Sequence, residues 1–386
     1  MVKLLHQFLL VLLVAIAPLI VLLLRGVVWG ADSFAFMAVA CGKPFVSELG
    51  HPFFANLVPL FDCNVELIFL SMFVIYFFCL VGIWVFGNFV FPRKGFLVAV
   101  LTGSLSPIFF LEALRFENQL FGFSLAFIGL GLFTLYLTHK KLPTRIIALF
   151  LACISALFSV LFWFPSILIV LAYPLLYNLS DVHRKYYVLL IFVGGLTIYA
   201  TTLIETVLNL QNFVVVSEQL PLVGIIFVLH IIHLYKFIPQ KFYTFGVLII
   251  FVGLVQAKFM FLCLPFLILG VVAKELKEGL WIRNHKLPLV AFSLYILIAF
   301  SFSAINFFPT QSDIREIETV STQSDPVYND WGEGWLFEYL GFQTDYKKFF
   351  PQPDWNSLER PYYAYTKFPD ELSGCVQVNT HSYYCS

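Results

Sequence analysis

The sequence predicts an all-α polytopic membrane protein of about eleven transmembrane helices, followed by a small C-terminal extracytoplasmic domain. Three observations carry that prediction. Of 386 residues, 60% are hydrophobic and only 12% charged, and the mean hydropathy is +0.88; soluble domains run nearer half apolar and a quarter charged. Apolar stretches follow one another to about residue 308. The formal net charge is zero, which argues against a nucleic-acid partner, yet the two signs are segregated along the chain.

The spans are expected at about 8–24, 65–90, 95–113, 119–138, 146–162, 165–177, 186–204, 221–235, 242–256, 259–273 and 287–308. The first begins like a signal peptide, with Lys3 ahead of an apolar run containing Ala15-Ile16-Ala17. The run continues through Leu24 and is about long enough to cross a bilayer, so it reads as a retained signal anchor. With the N-terminus in the cytoplasm and alternating spans, 14 of the 23 lysines and arginines fall inside. Every inner loop then holds at least two, for example Arg93 and Lys94, Lys140 and Lys141, or Arg184 and Lys185. The short outer loops hold Arg25, Lys43, Arg115 and Lys258, and the acids lie mostly outside. This is the positive-inside pattern. It makes the chain a multi-pass integral membrane protein with a cytoplasmic N-terminus and an extracytoplasmic C-terminus.

Cys79, Cys153 and Cys263 fall within spans, where a thiol packs as a small apolar group. Cys41 and Cys63 share the first outer loop, and Cys375 and Cys385 share the tail. Outside the cytoplasm each pair is a disulfide candidate, with pairing inside each segment preferred among three connectivities. The domain division expected is a transmembrane domain over 1–308, including a first outer loop at 25–64 with an amphipathic interfacial helix, and a small outer domain over 309–386. The tail is small for an independent core and is expected to pack on the membrane domain.

Four polar clusters could carry chemistry. The first is Trp29-Gly30-Ala31-Asp32-Ser33-Phe34, just after span one. An acid at the membrane border is costly to hold and suggests use; the plain reading is that Asp32 and Ser33 cap the helix that follows. The second is Glu112-Ala113-Leu114-Arg115-Phe116-Glu117-Asn118-Gln119 in the second outer loop. Its plain reading is a solvated turn with an Arg–Glu pair of little worth. The loop is so short that its charges sit at the membrane surface, on the same side as Asp32. Two carboxylates converging there would hold a divalent cation, Mg or Mn, or orient a hydroxyl. The third is Lys258 in Lys258-Phe259-Met260-Phe261-Leu262-Cys263-Leu264-Pro265, a snorkelling side chain or a partner for a lipid phosphate. The fourth is Asn329-Asp330-Trp331-Gly332-Glu333-Gly334-Trp335, suited to an aromatic belt or to stacking on sugar faces.

Other patterns carry less. His230 and His233 have metal-site spacing but no acid or thiol nearby and read as membrane-edge packing. Glu205 and Glu218 flank a partly apolar outer segment and receive no role. The sequon Asn178-Leu179-Ser180 faces the cytoplasm on this topology.

Taken together, Asp32 in WGADSF, Glu117 in SPIFFLEALRFENQLFG, Lys258 and Pro265 in KFMFLCLP, and the outer tail resemble the GT-C superfamily of membrane glycosyltransferases. That group includes protein mannosyltransferases, aminoarabinose transferases and oligosaccharyltransferase catalytic subunits. Its members often carry paired acids in the second outer loop, whereas Glu117 is followed by Asn118 and Gln119. The resemblance implies an inverting transferase that moves a sugar from a polyprenyl-phosphate donor to a lipid, glycan or protein hydroxyl at the outer face. It implies Asp32 and Glu117 as catalytic carboxylates, which are also the metal ligands if a divalent cation is used. It implies Lys258, with Arg25 or Arg115, at the donor phosphate. Asp330, Trp331 and Trp335 become candidates for the sugar or acceptor. The rival readings are a lipid or solute transporter or flippase, and a non-catalytic GT-C-like subunit. A transporter usually needs polar or broken helices near mid-membrane, whereas here the acids gather at one face. The Phe-rich composition and the lack of outer-loop sequons favour a prokaryotic cell membrane over the endoplasmic reticulum.

Overall fold

The computed structural model describes residues 2–28, 30–43, 52–105, 107–163, 311–329, 334–342, 354–366 and 372–386, with short helical pieces at 166–167, 169–170, 265–266, 268–270 and 272–273. Helix dominates these residues. In chain order they form α1 (Val2–Arg25), α2 (Ala31–Ala40), α3 (Pro52–Leu57) running into a 3-10 turn (Val58–Phe61), α4 (Val65–Val90), α5 (Gly95–Leu105), α6 (Pro107–Glu112), α7 (Asn118–Thr138) and α8 (Leu142–Phe162). The tail adds α9 (Gln311–Ser321), β1 (Val327–Asn329), α10 (Gly334–Tyr339), β2 (Tyr362–Tyr365), β3 (Cys375–Gln377) and β4 (Ser382–Cys385).

Among the described residues four helices, α1, α4, α7 and α8, are long and apolar enough to cross a membrane. They match the first, second, fourth and fifth expected spans. The third, expected as one helix over 95–113, is instead two pieces, α5 and α6. The physical reason is Pro107, which has no N–H to donate and disfavours helical backbone at the residue before it. The expected spans at 186–204, 221–235, 242–256 and 287–308 lie outside the described residues, as do most of those at 165–177 and 259–273. The tail contains a four-stranded sheet in the order β1-β2-β4-β3, with β1 and β2 parallel and the other pairs antiparallel.

The residues form two compact units. One comprises Met1–Ala17, Phe73–Ala113 and Asn118–Ile298; the other comprises Pro18–Met72, Leu114–Glu117 and Ala299–Ser386. In the first unit, α4 and α7 approach through glycines. A Cβ added to Gly131 would lie 2.7 Å from the Gly82 Cα, and one added to Gly82 would meet the Phe127 carbonyl. Small residues at such a crossing let backbones touch, which is how helices associate where lipid is as apolar as leucine. α7 and α8 form a hairpin. The buried Asn118 amide donates to the Phe162 carbonyl at 2.9 Å, and Gly122 leaves room for Trp163. At the other end, the Arg145 guanidinium donates to the Tyr136 carbonyl at 3.0 Å and covers the Tyr136 ring at 5.1 Å. On α8, Ile146, Ile147, Phe150 and Leu151 stand exposed, as side chains facing lipid would.

In the second unit the tail packs with the first loop. A segment of that size buries too little alone to offset its ordering entropy. α10 packs on α2, with Phe34 and Tyr339 rings 6.2 Å apart and Lys43 3.8 Å from Glu338. The expected amphipathic interfacial helix is corrected here: from Ser33 to Ala40 every side chain of α2 is buried. Its sequence, ADSFAFMAVA, is apolar on all sides after the first turn, and such a helix is a core element. Disulfides join Cys41 to Cys63 and Cys375 to Cys385, the within-segment pairing expected. On the tail sheet, Tyr362, Ala364 and Cys385 form a core with Trp355 on one face. At one end of the other face α9 binds: Tyr365 donates to Asp313 at 3.1 Å, and the His381 backbone N–H donates to Glu316 at 2.7 Å.

The glycine crossing yields a prediction. Gly131→Val forces α4 and α7 apart and costs about 1–3 kcal/mol, the usual penalty of overpacking. In thermal melts of the purified protein in detergent, Tm should fall by several degrees, whereas Leu151→Ala on the exposed side of α8 should leave it nearly unchanged.

Candidate functional site

The site is built where α2 begins. Gly30 is its N-cap, at φ 97° and ψ 144°, a backbone region open almost only to glycine. This turn brings the chain out of α1 and starts α2 with Ala31, Asp32 and Ser33 as its first three helical residues. Asp32 and Ser33 are therefore not the cap, which corrects that plain reading. Asp32 is half-buried in the first turn, and Ser33 is fully buried.

The second polar loop comes to this same turn. Ser33 Oγ donates to Glu117 Oε1 at 3.2 Å, and Arg115 Nε stands 3.7 Å from the same oxygen. A Cβ on Gly30 would lie 3.1 Å from Glu117 Oε1 and 3.4 Å from Arg115 Nε. Glu117 is only 2% exposed, while Arg115 retains 21%. The loop is thus no solvated turn, and the Arg115–Glu117 pair is no surface pair. A buried carboxylate needs donors and opposite charge, and three sources converge here. They are the Ser33 hydroxyl, the Arg115 guanidinium and the positive end of the α2 dipole.

Arg115 and Glu117 are held there by the residue between them. Phe116 is fully buried. Its ring lies 5.7 Å from Phe54 of α3 and 5.3 Å from Phe61 of the 3-10 turn, and Phe54 lies 4.9 Å from Phe36 of α2. At the far end of α2 the Cys41–Cys63 disulfide and the Cys63 N–H to Ala40 carbonyl bond at 2.9 Å tie the helix to the same turn. This aromatic anchor escaped the sequence reading. Its signal was the lone apolar residue set between two charges in Arg115-Phe116-Glu117.

Not every candidate gathers here. Arg25 ends α1 and is half-buried. Arg115, expected at a donor phosphate, lies beside Glu117. Asn118 serves the α7–α8 hairpin. Trp335 stands in the first turn of α10, whose other end reaches α2 through Tyr339; burial pushes the Tyr339 phenol above its ordinary range. Trp29, Lys258, Asp330 and Trp331 lie outside the described residues, as do His230, His233, Glu205 and Glu218. Among the described residues no group of three or more carboxylate, imidazole or thiol side chains is gathered to hold a metal ion. The Arg115 guanidinium faces Glu117 Oε1.

No family model, curated protein or solved structure matches this chain.

The N-cap generates a test. Gly30→Ala places a methyl against Glu117 Oε1 in a strained backbone region, at a cost of about 1–3 kcal/mol. Gly42 also has positive φ, 81°, but open space around it. Thermal melts should show a larger loss for Gly30→Ala than for Gly42→Ala; equal losses would mean that the contact with Glu117 contributes nothing.

Proposed function

We propose that the protein is an inverting glycosyltransferase that moves a sugar from a polyprenyl-phosphate donor to an acceptor hydroxyl at the outer membrane face. The observation that carries this reading is the meeting of the Gly30–Ser33 turn with Glu117. Two acids are gathered at one helix N-terminus, each in a different environment. Glu117 is sequestered and engaged by Ser33 and Arg115, whereas Asp32 in the same turn is only partly buried. A general base must reach its substrate, and a buried, engaged carboxylate does so poorly. This divides the roles.

Asp32 takes the proton of the acceptor hydroxyl. The acceptor oxygen forms a bond to the anomeric carbon as the bond from that carbon to the phosphate oxygen breaks. The electron pair leaves with the polyprenyl phosphate, and a single displacement inverts the anomeric centre. Glu117 is a positioning residue: it fixes the turn that carries Asp32 through Ser33. Lys258, and Arg25 at the end of α1, stabilise the charge developing on the leaving phosphate. No step runs through a metal. Disulfides in both the first loop and the tail suit an outer, oxidising side, which supports a cytoplasmic N-terminus.

The test is turnover of a panel of polyprenyl-phosphate sugars by protein in liposomes. Asp32→Asn should lower kcat by about 10²–10⁴-fold, the usual worth of a general base. Ser33→Ala should lower it less and leave a rate that still depends on Asp32. Wild-type turnover retained in Asp32→Asn discards the base assignment and keeps the class. Movement of donor lipid between leaflets without turnover replaces the transferase with a flippase.

A further inference from the structure

At the end of α7 away from Glu117, the apolar helices close in a surface of one sign that the reaction above does not use. α4 and α7 set out together, because Phe61 just before α4 and Phe116 just before α7 hold their rings 5.3 Å apart. They cross at Gly82 and Gly131. Their last residues, Val90 and Thr138, each lie roughly two turns further on, about 10–12 Å at 1.5 Å per residue. Both helices therefore end on one face. There α5 turns back from α4, and the Gly95 N–H donates to the Asn88 side chain at 3.0 Å. The start of α1 meets this turn, where the Gln7 amide donates to the Arg93 carbonyl at 3.4 Å. α8 turns back from α7, with the Lys141 N–H donating to His139 Nδ1 at 3.2 Å. The two turns carry Arg93, Lys94, Lys140 and Lys141, and Arg145 follows in the first turn of α8. Arg93, Lys140 and Lys141 are exposed. No Asp or Glu occurs from Leu67 to Leu111 or from Asn118 to Ser180, so no acid belongs to either turn or to α5, α7 or α8. Arg145 is already oriented: its Nε donates to the Tyr136 carbonyl at 3.0 Å and its guanidinium covers the Tyr136 ring at 5.1 Å. That bond uses one of its five N–H donors and leaves the terminal fork. From the same turn an apolar row runs along α8 through Leu142, Ile146 and Phe150, spaced four apart and 64%, 59% and 64% exposed.

We infer that this face binds an anionic phospholipid, with its phosphate at Arg145, Lys140 and Lys141 and its acyl chains along Leu142, Ile146 and Phe150. Charge complementarity is the first argument. Cations at a membrane surface draw anionic lipid by about fivefold each, and here no acid of the same turns offsets them. Arg93 and Lys94 add to that field. The Arg145 fork is the second argument. A planar guanidinium meets phosphate oxygens in pairs, and one already fixed by a carbonyl and a ring loses less freedom on binding. The apolar row is the third, and it selects a lipid over a soluble phosphate. The head lies at the depth of the turn while the chains run along α8, whose exposed side chains suit hydrocarbon. A zwitterionic lipid offers the row the same chains but brings its own ammonium to oppose these cations. The site stands apart from the transferase proposal, because it occupies the other end of α7 and its readout is lipid retention without turnover.

The probes are dioleoyl phosphatidylglycerol and dioleoyl phosphatidylcholine, offered in equal amounts to the full-length protein in detergent, with retained lipid counted by native mass spectrometry. The wild type should keep the glycerol lipid at least about tenfold over the choline lipid. Arg145→Gln should lower that preference about fivefold, and Lys140→Gln and Lys141→Gln about two- to fivefold each. Arg145→Lys keeps the charge but gives up the fork, and should lower it about twofold. Arg315→Gln removes an exposed cation from α9 and should leave it unchanged. Melting temperatures near that of the wild type identify the variants that report on lipid alone; the two lysines, being exposed, carry little folding risk. Equal retention of the two lipids by the wild type overturns the site. A preference that survives both Arg145→Gln and the Lys140→Gln, Lys141→Gln pair places the lipid elsewhere and also overturns it. Displacement of the glycerol lipid by soluble glycerol phosphate as readily as by more lipid makes this a site for free anions and overturns the lipid assignment.

Discussion

A carboxylate with 2% exposure has lost nearly all its water, and the surrounding chain must replace it. At Glu117 the replacement comes from three places: a hydroxyl on α2, a guanidinium two residues back and the N-terminal end of a helix. Each demands something of the structure around it. The hydroxyl requires α2 to begin at Ala31, so that Ser33 is in the first turn. The approach of the carboxylate requires that residue 30 have no side chain. The guanidinium must share a loop with the acid yet keep part of its surface in water. The sequence meets all three demands within two short segments 84 residues apart.

The rest of the second unit serves to keep those segments in place. Phe116 binds the loop to α3 through a tilted ring contact and to the 3-10 turn through an edge-on one, each worth about 0.5–1.5 kcal/mol beyond the area it buries. The Cys41–Cys63 bridge limits the freedom of the unfolded loop. α10 covers α2 from the tail. An entirely apolar α2 is what makes this possible, because a helix buried on every side can be gripped from several directions at once. A site of this kind sits on a packed helix rather than on a loop, and packed helices hold geometry better.

The membrane-crossing helices follow a different logic. Between them there is little hydrophobic gain, because lipid solvates an apolar side chain as well as another helix does. Contact then depends on close fit and on a few hydrogen bonds. The Gly82 and Gly131 crossing supplies the first, and the Asn118 to Phe162 bond supplies the second. Polar residues that look like site candidates in the linear sequence, Asn118 among them, are consumed by this task.

Much of the architecture was legible in the sequence because it is written in neighbouring residues. Hydropathy over a window marks α4 at 65–90, and shared segments mark the two cysteine pairs. The placement of Asp32 and Glu117 at matching ends of apolar runs pointed to one region of the molecule. What neighbouring residues cannot express is partner choice across the chain. That Gly30 rather than Asp32 caps α2, that α2 is swallowed by the tail and the first loop, and that Glu117 rather than Asp32 is the sequestered acid were decided only by the tertiary structure. The sheet is a further case, since three- and four-residue strands are too short to show a period and form only when their partners meet. Local pattern sets which segments are helical and apolar; burial, which depends on what closes over a residue, sets what each charged group can do.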